Sequence, residues 1–179
     1  KTFENTENSL RISVKNFADL FYSTISKKNF GNLLFPRLRS RDFRRRLATI
    51  EGIIRRLYYS IAEVSGARVI VDSSKYPLYA QFLSNSKTVD LRLVHLVRDS
   101  RAVAYSHIRK RFVSEVGYTA TKNPFRVALA WNLHNFLAER LQAKHKYVRI
   151  RYENLATHPR QTILRIVETL GLVEKAGLE

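Results

Sequence analysis

Apolar residues along this chain follow two rhythms. In three places, residues 67–71, 91–97 and 147–152, they run nearly unbroken, the pattern of strands buried on both faces. The last run is the least regular, because Arg149 and Arg151 alternate with Val148 and Ile150. Elsewhere the steps are three and four. From Phe43 the apolar positions continue through Leu47, Ile50, Ile54, Leu57, Ile61 and Val64, with Arg44, Arg45, Arg55 and Arg56 opposite. That spacing predicts one long amphipathic helix, with Gly66 as its stop. Further helices are predicted over 76–83, 100–111, 124–144 and 158–170, with Pro124 in a first turn and Pro159 after a short polar break. The first forty residues read as partly helical and looser around 31–36.

Alternating strands and helices predict an α/β fold, a three-layer open parallel sheet flanked by helices and joined by right-handed crossovers. In such sheets ligands bind beyond the carboxyl ends of the strands. The run "RVIVD" leads into "SSKYP", which puts Asp72, Ser73, Ser74 and Lys75 at one such end. The next run ends at Arg98, followed by Asp99 and Ser100, either of which suits a helix cap. A helix starting there offers free N–H groups and the positive end of its dipole to an anion. Arg98 adds a planar fork of donors, and Ser106, two turns into the helix, adds a hydroxyl. Each residue also has a plainer reading. Arg98 pairs locally with Asp99, Ser106 is merely tolerated, Lys75 is a solvated turn lysine, and Asp72 makes an Asx turn.

Composition changes this picture in one respect. The 179 residues, enough for a single domain, carry 32 Lys and Arg against 15 Asp and Glu, a formal charge of +17. Such an excess asks for an anionic partner. A basic nucleic-acid-binding module is the alternative that charge alone suggests. It requires a helix-turn-helix, an RNP strand or a zinc finger, and none is recognisable; nor do aromatic residues interleave with the arginines of 41–46, which read as a solvated helix start. A P-loop kinase relative would need a Walker lysine and a magnesium site, which the sequence does not offer. There is no cysteine, so disulfides and thiol chemistry are excluded within these residues. No apolar run reaches the roughly 18–20 residues that span a bilayer, and residues 1–10 do not resemble a signal peptide; the cytoplasm is the expected location. No histidine spacing such as HExxH is present, and no metal is expected. His95, flanked by apolar residues, reads as a satisfied core histidine. Trp131 reads as a core tryptophan on a helix face with Val127, Leu133 and Leu137.

Four segments occur in order: "VDSSKYP", "LVHLVRDSRAVAYS", "AWNLHN" and "VRIRYENLATHPRQTILRIVETLGL". Together they resemble the nucleotide-dependent sulfotransferases, whose donor is 3′-phosphoadenosine 5′-phosphosulfate (PAPS), over about residues 66–172. The resemblance implies a P-loop-nucleotide-hydrolase-like architecture in one domain, with a helical, acceptor-side region at 1–65 and a donor-binding region at 66–172. It implies sulfuryl transfer to a hydroxyl or amine of a small-molecule, carbohydrate or peptide acceptor, with no metal and no nucleic-acid partner. By the same resemblance Arg98 and Ser106 grip the 3′-phosphate of PAPS, and Tyr152 approaches the adenine. Lys75, or Ser74 if the alignment shifts by one, faces the bridging oxygen or the sulfuryl group. Lys75 and Asp72 are the catalytic candidates, with Glu4, Glu7 and Glu51 as further candidates for the base. The family's glycine-rich 5′-phosphosulfate loop is missing, since "SKKNFGNLL" has the wrong context. With no methionine anywhere and Lys1 in first place, the chain is expected to be truncated at both ends.

Overall fold

The computed structural model describes residues 13–109, 112–113, 117–118 and 121–172. Two compact units divide the chain, Lys1–Asp90 and Leu91–Glu179.

The first unit is helical among its described residues. Helix α1 (Val14–Thr24) is capped by Ser13, whose hydroxyl accepts the Asn16 N–H. Short turns lead through α2 (Phe30–Leu34) to α3 (Arg41–Ser65) and then α4 (Pro77–Leu83). Helix α3 is the long amphipathic helix that the apolar spacing predicts. Ser40 caps it through the Phe43 N–H, and Gly66 ends it in the left-handed conformation (φ 64°), which costs glycine nothing. Its apolar stripe is buried at Phe43, Leu47, Ile50 and Ile54, against α1. Full burial of such a side chain stabilises by about 1.5–3 kcal/mol, so this half of the helix anchors the unit. Further along, Leu57, Ile61 and Val64 are exposed. The rings of Phe21 on α1 and Tyr79 on α4 meet edge-on at 5.4 Å.

Residues 67–71 form no strand. Val69 and Val71 stand 49% and 88% exposed, and among the described residues this unit holds no strand for the segment to pair with. An extended segment becomes a strand only when a neighbour takes up its N–H and C=O groups, so its apolar run is not enough.

The second unit holds the parallel sheet. Strand β1 (Arg92–Val97) pairs with β4 (Lys146–Arg151), in the register Leu93↔Tyr147, His95↔Arg149 and Val97↔Arg151. Between them come α5 (Ser100–Ile108), the short antiparallel pair β2 (Phe112–Val113) and β3 (Gly117–Tyr118), and α6 (Pro124–Arg140). Pro124 does sit in the first turn of α6, with the Asn123 side chain as cap. After β4 come α7 (Tyr152–Thr157) and α8 (Pro159–Thr169). Val148, Ile150 and Leu170 form a buried cluster, with Leu155, Ile166 and Leu172 against it. The Arg92 guanidinium closes the end of α8 by donating to the carbonyls of Leu170 and Gly171, both at 2.8 Å.

The architecture is therefore mixed α/β with a parallel sheet, as expected, but mostly helical. The sheet among the described residues has two parallel strands instead of a broad central layer. Boundaries also move: the helix predicted over 124–144 ends at Arg140, with a 3-10 turn over Leu141–Ala143. The final strand ends at Arg151, and "YENLAT" is a helix in its own right; the helix after Arg98 ends at Ile108, short of residues 110–111, which lie outside the described set. No helix among the described residues is long and apolar enough to cross a membrane.

Candidate functional site

The carboxyl ends of β1 and β4 lie side by side, and the residues just beyond them interlock. Arg98 follows β1 directly and is exposed; its guanidinium lies 5.0 Å from the centre of the Tyr152 ring, the first residue of α7. Tyr152 is 43% exposed, so it is neither a buried gap-filler nor a free surface ring. Next to this pair, the Asp99 N–H donates to the Glu153 carboxylate at 3.0 Å, which holds that carboxyl below its usual range. Strand ends 54 residues apart in sequence are thus tied by one hydrogen bond and one cation–π contact.

Asp99 is the cap of α5. Its carboxylate accepts the Arg101 N–H at 2.8 Å and pairs with the Arg101 guanidinium at 2.9 Å. The Arg101 side chain, then the first-turn N–H groups, lower its pKa to about 2. The local ion pair that the sequence allowed for Arg98 therefore forms on Arg101 instead. Among the described residues no carboxylate pairs with Arg98. Ser106 is half-buried on α5, six residues beyond its start and so roughly 9 Å along the helix axis.

A relay from α6 reaches the same strand tip. The Trp131 indole N–H donates to the carbonyl of Arg98 at 3.1 Å. One turn further on, Asn135 donates to the Trp131 carbonyl at 2.7 Å and turns its Oδ1 to Nε2 of His95, 2.9 Å away. With that amide orientation Nε2 carries the proton, leaving Nδ1 to accept from the Tyr147 hydroxyl at 2.6 Å. His95 is the satisfied histidine that its apolar neighbours implied; burial pushes its pKa below the ordinary value, against the opposing pull of Asn135. Val127 and Leu137 are buried on α6, but Trp131 is only half-buried, because its indole works as a donor at the strand end.

In the first unit, the turn at 72–75 is built around Asp72. Its Oδ1 accepts the Ser74 N–H at 2.8 Å, the expected Asx turn, and its Oδ2 accepts the Tyr58 hydroxyl at 2.5 Å. Tyr58, from α3, also meets the Tyr79 hydroxyl at 2.9 Å. Burial raises the Asp72 carboxyl, but the Tyr58 and Ser74 hydrogen bonds outweigh it and leave the pKa below the usual carboxylate value. Burial, then the bond to Asp72, push the Tyr58 phenol well above its ordinary value. Lys75 is exposed and has φ 60°, a left-handed conformation that a lysine adopts only when its surroundings require it. Ser74 is exposed beside it. Glu51 is half-buried on α3, and Glu4 and Glu7 lie outside the described residues.

The sulfotransferase family model matches residues 6–175, nearly the whole chain. The chain belongs to the sulfotransferase family. No curated protein and no solved structure gives a significant match. As a sulfotransferase it moves a sulfuryl group from a donor to an acceptor, and what such chemistry needs from a protein is cationic and N–H donors where negative charge sits or builds. Among the described residues, the exposed cations at the two predicted strand ends are Arg98 at the β1 tip and Lys75 in the 72–75 turn.

Tyr58, Glu153 and the donor role of Trp131 are not among the features that the sequence singles out. Glu153 had a local signal, since it follows Tyr152 directly at a strand end. Tyr58 had none, lying 14 residues from its partner with an unremarkable place on a helix. A shallow groove lined by Glu139, Tyr147, Arg149 and Arg165, among others, contains none of the predicted site residues of the sulfotransferase.

Proposed function

We propose that this sulfotransferase takes its sulfuryl group from PAPS. The observation that carries the reading is Arg98. It stands at the strand end where an α/β sheet receives ligands, exposed, without a carboxylate partner among the described residues, and its guanidinium is held over Tyr152. A guanidinium so placed suits the 3′-phosphate that separates PAPS from simpler nucleotides. Ser106 adds a hydroxyl to that phosphate, and Tyr152 offers its free face to the adenine. Asp99 already covers part of the α5 start, so the side chains carry more of this grip than the helix N–H groups do.

In the transfer, the bond between sulfur and the bridging phosphate oxygen breaks while the acceptor oxygen or nitrogen bonds to sulfur. Adenosine 3′,5′-bisphosphate leaves, and the acceptor proton passes to a base. By the family resemblance alone, Lys75, with Ser74 beside it in sequence, is the candidate for stabilising the charge growing on the bridging oxygen. Asp72 fixes the turn that presents them, since both of its oxygens are engaged by Tyr58 and Ser74. The acceptor is a hydroxyl or amine compound.

Calorimetric titration with adenosine 3′,5′-bisphosphate and 5′-AMP tests the donor. The chain is expected to prefer the bisphosphate by tenfold or more, and Arg98→Ala to abolish that preference. Equal affinity for the two nucleotides in the unsubstituted protein would end the reading.

A further inference from the structure

We propose that Trp131 is a positioning residue for Arg98, setting the affinity of the donor site for a 3′-phosphate without touching the donor itself. The inference rests on the reading of Arg98 given above. Arg98 lies between the last residue of β1 and the cap of α5, where its carbonyl is neither in the β1–β4 ladder nor inside the helix. A carbonyl at such a break needs a donor from elsewhere, and the Trp131 indole supplies it at 3.1 Å. The guanidinium of the same residue is held from the opposite strand end by the Tyr152 ring. Main chain and side chain of Arg98 are therefore fixed by two different elements, α6 and α7.

What keeps Trp131 in place is the remainder of the relay. Asn135 reads one turn of α6 through the Trp131 carbonyl and reads β1 through His95, which Tyr147 of β4 holds in turn. Helix α6 is thus registered on the sheet at two heights, the middle of β1 through His95 and its tip through Arg98. A rotation or slide of α6 would break both contacts together. A displaced guanidinium loses a charge-assisted phosphate bond steeply with distance and angle, so the indole acts on the ligand through geometry.

The test is a double-mutant cycle on the full chain, read by titration with adenosine 3′,5′-bisphosphate and 5′-AMP. Trp131→Phe keeps a large ring but removes the N–H. It is expected to weaken the bisphosphate about five- to tenfold and leave 5′-AMP unchanged, the size of one hydrogen bond. Added to Arg98→Ala, it is expected to have no further effect on the preference. Asn135→Ala, which leaves the indole but loosens its mooring, is expected to show a smaller loss of the same selective kind, and carries the test if Trp131→Phe does not fold. An unchanged nucleotide preference in the folded variant would overturn the inference while leaving Arg98 as the phosphate anchor. Equal weakening of both nucleotides would also overturn it, marking Trp131 as structural only. If Arg98→Ala itself leaves the preference intact, the donor reading falls and the positioning role falls with it.

Discussion

Lys75 holds a conformation that costs a non-glycine residue about 1–2 kcal/mol, and its turn is closed by the Asp72 side chain instead of by a glycine. A glycine there would relieve the steric cost and give part of it back through a more flexible unfolded chain. Lys75→Gly is therefore expected to leave urea stability unchanged or to raise it by up to about 1 kcal/mol. Sulfuryl transfer is expected to fall by two orders of magnitude or more, as when one charge-stabilising donor is removed. Loss of stability together with activity would show that the lysine was there for the fold. Arg98 differs in kind. Its backbone is ordinary, and its place depends on Trp131 and Tyr152, which come from distant parts of the chain.

At the scale of elements, burial of His95 between β1, β4 and α6 links the unit to pH. Its native pKa lies below the ordinary value because burial disfavours the cation. Near pH 6.5 the unfolded chain binds a proton that the folded chain refuses, so stability is held above that pH and falls as pH drops below it. Melting temperature is expected to fall as pH drops below about 6.5, and this limb is expected to flatten in His95→Gln; an identical limb in both proteins would assign it to other groups. The carboxylates of Asp72, Asp99 and Glu153, held low in the fold, lose their contribution only at lower pH. His95 also shows how much was legible. A histidine amid Leu and Val had to be bonded, and the sequence said so; that Asn135 and Tyr147 would bond it was hidden, since those partners lie 40 and 52 residues away. Helix α3 was readable because its stripe and its stop are both local. Residues 67–71 misled because strand formation is decided by a neighbour, and α7 was missed because "YENLAT" has too few apolar residues to show a period. The strand-end positions of Arg98 and Tyr152 were readable, but their contact was not.

For the whole molecule, sequence patterning conveyed the class, parallel strands with helices between them, more faithfully than the width of the sheet. The large positive charge was compatible with several anionic partners, and the ordered motifs, not the composition, pointed to the sulfotransferase family that the family model matches. The pairing of β1 with β4 joins partners 54 residues apart, and the intervening chain must be brought back before a single ladder bond forms, an entropic cost that slows folding. The tip where Arg98 meets Tyr152 exists only after that closure. Nucleotide binding is thus expected to appear with the slowest refolding phase seen in stopped-flow experiments, after the local helices have formed. Helix α3, whose contacts are near in sequence, is expected to be complete by then. Bisphosphate capture before that phase would mean that the strand ends meet early; capture only with it would mean that the proposed anion site forms last.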